Sequence, residues 1–170
     1  MRIAVFLRAV NLGPKNKVAM GDLRKTLEAD GFKDVKTYLN SGNLTMSSQD
    51  GIDEDVRHIK ELILNRFNVD IDVFAAAINE LEEKIKRGIF GDLTEKQVPY
   101  VVFLSQKIKL ELPSDLHHIR LLAQSGKLLF CVGTMSAEHT SFPNALIEQE
   151  FKIRCTSRNL NTLEKMLQAA

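Results

Sequence analysis

The chain has 170 residues, with 23 basic side chains against 22 acidic ones and 44% apolar residues. That length suits one domain or two small halves, and a chain of this size buries about 70% of its unfolded surface without help from a metal or a disulfide. A formal net charge of +1 gives no bulk electrostatic case for a nucleic-acid or membrane partner, and no apolar run approaches the roughly 20 residues of a membrane-spanning helix.

Residues 3–7 form a short apolar run that reads as a buried strand. A polar loop follows from Arg8 to Lys17, through which Pro14 forbids a regular helix. A first helix is expected from near Met20, with Leu23 and Leu27 on its core face. Gly31 supplies the left-handed end of that helix, and Phe32 the apolar contact beyond it. Residues 34–39 and 43–47 read as two strands joined by the turn formers Asn40, Ser41, Gly42 and Asn43. Val56, Ile59, Ile63 and Phe67 then recur at helical spacing, and Asp53, Glu54 and Asp55 place in the first turn the sign its dipole favours. Residues 70–75 complete the unit as a fourth strand.

A charged amphipathic helix over residues 78–87 and a loop over 88–97 lead to a second run of elements. Residues 100–104 read as a strand. Residues 106–116 support two readings: Ile108, Leu110 and Leu112 are spaced by two and Pro113 ends any helix, whereas a duplicated fold requires a helix there. Residues 118–123 and 127–132 flank the turn Gln124-Ser125-Gly126 as a hairpin. A helix over 145–150, a strand over 151–154 and a closing helix over 160–167 follow. The order strand, helix, strand, strand, helix, strand therefore occurs at the start and is expected again near the end. It describes an α+β fold of two ferredoxin-like (βαββαβ) halves by duplication, with a C-terminal helix. The expected boundaries are 1–76 for the first half, 77–98 for the connecting helix and linker, and 99–170 for the second half with its closing helix.

Two groups of residues carry the functional expectation. In a strand-helix-strand unit the first two strands run parallel, so the loop after one and the turn after the other share an end of the sheet. That end gathers Arg8, Asn11, Lys15, Asn16, Lys17, Ser41 and Asn43 around Gly13 and Gly42. Cations beside glycine-exposed amides suit an anion; turn chemistry and solvated charge are the competing explanation. The second group is Thr156-Ser157-Arg158-Asn159-Leu160-Asn161-Thr162. Asn159 or Ser157 can cap the last helix, and Arg158 is the residue that capping does not require.

Other chemistries find little support. His117 and His118 are adjacent and would point to opposite faces of a strand, and no cysteine or carboxylate stands at metal spacing, so no metal is expected. Gly13-Pro14-Lys15-Asn16-Lys17 lacks the spaced second glycine of a phosphate-binding loop. The strand 43–47 has no aromatic on which an RNA base could stack, which disfavours nucleic acid except through backbone contacts. Cys131 and Cys155 are expected to be reduced in a chain that shows no secretory signal, and the expected location is the cytoplasm.

The stretches Arg8-Ala9-Val10-Asn11-Leu12-Gly13, Thr37-Tyr38-Leu39-Asn40-Ser41-Gly42-Asn43 and Thr156-Ser157-Arg158-Asn159-Leu160-Asn161-Thr162, with Lys15, Lys17 and Met20 between, resemble a bacterial family of uncharacterised proteins. The family is catalogued as domain of unknown function 1697. Members usually carry glycines where this chain has Ala9 and Pro14, and tryptophan where it has Leu160. The resemblance implies the same duplicated α+β fold and no established activity. The sequence thus leads to a binding protein for a small anionic, phosphorylated or nucleotide-like ligand, without cofactor. Arg8, Lys15, Lys17 and Arg158 would supply charge, and Asn11, Ser41, Asn43, Asn159 and Asn161 would orient the ligand. An enzyme acting on a phosphorylated substrate, and a protein that grips a nucleic-acid backbone, are the alternatives; no nucleophile or general base stands out.

Overall fold

The computed structural model describes residues 1–170. It is a mixed α+β fold with two antiparallel sheets and five helices. The chain divides into two compact units, Met1–Leu81 with Met166–Ala170, and Glu82–Lys165.

The first unit runs β1 (Arg2–Leu7), α1 (Met20–Ala29), β2 (Lys33–Tyr38), β3 (Asn43–Ser47), α2 (Ile52–Phe67) and β4 (Val73–Ala77). Its sheet has the strand order β2-β3-β1-β4. The apolar run in β1 is wholly buried from Ile3 to Leu7. Ile3, Val5 and Leu7 pack with Leu44 and Met46 of β3, Leu23 and Leu27 of α1, and Ile59 and Ile63 of α2. The i, i+4 spacing of those helical pairs is what presents each as one apolar stripe to the sheet. Helix α1 ends as its sequence requires. Gly31 adopts φ +104, and Phe32 N–H reaches back to Leu27 O at 3.0 Å, with the Phe32 ring buried in the core. The fourth strand begins at Val73, three residues later than expected, and α3 (Ile78–Lys86) follows it directly.

The second unit contains β5 (Gln97–Leu104), β6 (Ser114–Leu116), β7 (Ile119–Ser125), β8 (Leu128–Thr134), α4 (Asn144–Phe151), β9 (Cys155–Asn159) and the start of α5 (Leu160–Gln168). Its sheet order is β6-β7-β8-β5-β9. Pro99 pairs with Val132 of β8, whereas the pairing of β5 with β9 begins only at Tyr100. The proline, which cannot donate, therefore lies beyond the end of β9.

Two sequence expectations fail here. The second unit is not a repeat with two helices, because residues 105–113 form no helix. Their period of two wins: Ile108, Leu110 and Leu112 pack against the unit's core from an extended segment. The last strand is also not 151–154. Phe151 closes α4, Lys152 turns the chain at φ +53, and the polar run from Cys155 to Asn159 is the strand, paired with β5.

Candidate functional site

In the first unit the loop over residues 8–18 and the turn over 39–42 meet at one end of the sheet. Leu7 N–H donates to Gly42 O at 2.7 Å. Asn11 adopts φ +56, and its side-chain amide donates both to Val18 O and to Asn40 O, each at 2.8 Å. Its Oδ1 accepts from Val18 N–H at 3.0 Å. Asn11 is thus the clamp that closes the loop on itself and ties it to the turn, and its carboxamide is spent on the backbone. Asn43, fully buried, donates from Nδ2 to Ser41 Oγ at 2.8 Å and to Tyr38 O at 3.2 Å. It holds the hairpin closed; Ser41 itself is exposed.

The three cations of this corner differ. Arg8 is half-buried and lies 3.6 Å from Asp72 Oδ2, while its backbone N–H donates to Asp72 O at 2.9 Å. Lys60 approaches the same Asp72 at 3.8 Å. Arg8 therefore sits within a neutralising network. Lys15 and Lys17 are exposed and take part in no ion pair. No acidic residue occurs between Arg8 and Gly21, or between Lys36 and Ser48.

The backbone here is unusually bent. Ala9, Asn11, Asn16 and Leu39 have φ between +53 and +59, and Gly13 and Gly42 lie at +84 and +77. Such conformations cost of order 1–3 kcal/mol each outside glycine and persist only where the surroundings enforce them. Two residues passed over by the sequence reading lie in these loops, Leu12 at 72% and Leu39 at 61% exposure. The available signal was a leucine set inside each run of turn formers, Asn11-Leu12-Gly13-Pro14 and Leu39-Asn40-Ser41-Gly42.

The other predicted residues belong to the second unit. Arg158 stands in β9 opposite Val101. It donates from one guanidinium nitrogen to Thr156 Oγ1 at 2.9 Å and to Ser157 O at 2.8 Å. Burial lowers its pKa to about 10, so it remains a cation at neutral pH. Asn159 Oδ1 accepts from Thr162 N–H at 2.8 Å, an N-cap on α5. Asn161 is exposed in the first turn of that helix. Tyr100 O–H and Ser141 Oγ share a buried hydrogen bond of 2.7 Å. Burial raises the Tyr100 pKa; the bond to Ser141 opposes that shift, and nearby Cys131 adds to it. The rings of His118 and His139 stack at 4.8 Å, and His118 precedes β7 instead of opening it. No group of three or more potential ligands could hold a metal ion. No helix is long and apolar enough to cross a membrane.

A cleft of about 410 Å³ opens elsewhere in the first unit, between α1 and α2. Asp22, Lys25, Asp30 and Arg66 line it with alternating sign, beside Thr26, Ala29 and Leu62. An anion there would face two carboxylates, and none of the sequence-predicted residues lines it.

A family model described as protein of unknown function (DUF1697) matches residues 1–122. The stretch from Thr156 to Thr162 lies outside that match. Among solved structures, the conserved bacterial protein SP0830 from Streptococcus pneumoniae shares the fold, with a TM-score of 0.69 at 24% identity over 98% of this chain and 97% of that one. No curated protein matches the chain.

Proposed function

The chain belongs to the DUF1697 family, which supplies a fold and no activity, and we propose from the loop geometry that it binds a small phosphorylated or nucleotide-like anion. The observation that carries this reading is the state of Lys15 and Lys17. Both are exposed and without an ion-pair partner, on a loop whose shape Asn11 fixes with three hydrogen bonds to Val18 and Asn40. A rigid loop presenting unmatched cations offers a ligand charge without the entropy of ordering the backbone that carries it. Arg8 contributes less, because Asp72 already faces it. The ferredoxin-like reading is kept for the first unit alone, on its βαββαβ order and its β2-β3-β1-β4 sheet. A cytoplasmic setting suits the two buried cysteines, neither of which forms a disulfide.

The test is calorimetric titration of sugar phosphates and nucleoside monophosphates into the wild-type chain and into a Lys15→Ala/Lys17→Ala variant. Charged hydrogen bonds contribute about 1.5–3 kcal/mol when well formed. The double substitution is therefore expected to weaken binding at least about tenfold with no change in melting temperature. No heat from any of these ligands, or binding indifferent to both lysines, removes the proposal.

A further inference from the structure

Resting on that anion reading, we infer that the ligand carries a flat apolar group next to its phosphate, as a nucleoside monophosphate does, and that Leu12 and Leu39 receive it. A single exposed leucine needs no explanation. These two are different, because they share a place. Leu12 follows Asn11 and Leu39 precedes Asn40, and Asn11 and Asn40 are joined by a hydrogen bond of 2.8 Å. One peptide unit on either side of that bond thus stands a leucine that is 72% or 61% exposed.

Leu39 also sits at φ +59. A bulky side chain is an outlier there, and asparagine or glycine would make the same turn at lower cost. Folding gains little from a leucine at this position, since most of its surface is left in water. Lys15 and Lys17 follow Leu12 on the same loop, and no carboxylate interrupts either segment. Apolar surface beside an unmatched positive charge is complementary to a base joined through a sugar to a phosphate. Small-ligand sites combine these elements, with apolar side chains for area and a few charged groups for orientation.

The experiment compares adenosine 5′-monophosphate with ribose 5-phosphate on the wild-type chain, Leu12→Ser, Leu39→Asn and the double lysine variant. The nucleotide is expected to bind about tenfold more tightly than the sugar phosphate, the gain that burying one ring face supplies. Leu12→Ser and Leu39→Asn should each erase most of that difference and leave the affinity for ribose 5-phosphate unchanged. The lysine variant should weaken both ligands alike. Leu39→Asn relieves the backbone, so it should melt at or above the wild-type temperature, which separates lost recognition from lost folding. If ribose 5-phosphate binds and the base adds nothing, or if its gain survives both leucine variants, this inference fails and the anion reading stands. If neither ligand binds, both fall. Leucine-dependent binding to anionic lipid vesicles without nucleotide binding also overturns it, in favour of a membrane-surface role.

Discussion

Gly42 is pressed against Leu7. Besides the 2.7 Å hydrogen bond from Leu7 N–H to Gly42 O, a Cβ built on Gly42 would stand 2.7 Å from Leu7 Cβ, 2.7 Å from Val10 Cγ2 and 3.1 Å from Leu7 O. This contact lets the 39–42 turn close over the start of the 8–18 loop. It makes the turn and the loop one structural object.

Gly42 therefore answers to two requirements, a positive φ of +77 and the absence of a side chain. Gly42→Ala violates both. Strain at such a position costs of order 1–3 kcal/mol, and forcing a methyl into a filled site adds about 1–3 kcal/mol. A loss of about 2–6 kcal/mol in urea unfolding is expected. A near-neutral alanine variant would show that the two segments do not touch.

Asp55 is a second case in which one side chain organises a loop. It is 1% exposed. Its carboxylate accepts from Ser48 Oγ at 2.6 Å, from Gln49 N–H at 3.3 Å and from Asp50 N–H at 3.2 Å. It holds the chain that enters α2 from a buried position, whereas its neighbours Asp53 and Glu54 are exposed. Asp55→Ala removes the charged acceptor of these part-buried hydrogen bonds and should cost about 1.5–3 kcal/mol. Asp53→Ala, at an exposed position in the first turn, should cost less, about 0.3–1 kcal/mol. Equal effects at the two positions would refute the distinction.

The first unit was legible because its signals are local and agree. The apolar run at Ile3, the i, i+4 leucines of α1, the Gly31-Phe32 stop and the turn formers around Gly42 each point to the element found. The second unit misled where those signals weaken. Residues 105–113 carry a strand-like period but form no regular strand, since they dock Ile108, Leu110 and Leu112 from outside the ladder. Strand β9 reads as a helix-capping stretch because Thr156, Ser157, Arg158 and Asn159 are polar; its pairing with β5 supplies what composition does not. The corner formed by the first loop and the hairpin followed from topology alone. The division of labour within it did not. Which asparagine clamps backbone and which lysine lacks a carboxylate are facts of three-dimensional distance.

Adjacent hydroxyls in β9 should respond to deletion with opposite sign. Ser157 Oγ is buried and has no hydrogen-bond partner, whereas Thr156 Oγ1 accepts from the Arg158 guanidinium at 2.9 Å. Removing an unsatisfied buried group relieves its desolvation, so Ser157→Ala should be neutral or stabilise by up to about 1 kcal/mol. Thr156→Val keeps the shape but takes an acceptor from a cation, and should cost about 1.5–3 kcal/mol. A destabilising Ser157→Ala, measured by the same chemical melts, would reveal a partner for that hydroxyl.

The protein should lose stability at alkaline pH. Burial pushes the Cys131 thiol well above its ordinary value of 9.0, and nearby Cys155 pushes it further in the same direction. The unfolded thiol loses its proton from about pH 9, while the native one keeps it. The unfolded state thus binds fewer protons, and stability falls as pH rises. The contribution is present in full below the unfolded value and is lost as pH climbs toward the native one. The slope for one such group reaches about 1.4 kcal/mol per pH unit. Tyr100, also raised by burial, adds to the loss only above its ordinary value of 10.0. Arg158 acts the other way from about pH 10, where the native guanidinium gives up its proton before the unfolded one. The interval from pH 9 to 10 therefore isolates the thiol from both. Urea melts there should show the wild-type chain losing stability steadily, and Cys131→Ala should be less stable at pH 7 but flatter across the interval. The native thiol should also resist alkylation at pH 8. Parallel pH profiles for the two proteins would mean that Cys131 ionises as readily folded as unfolded.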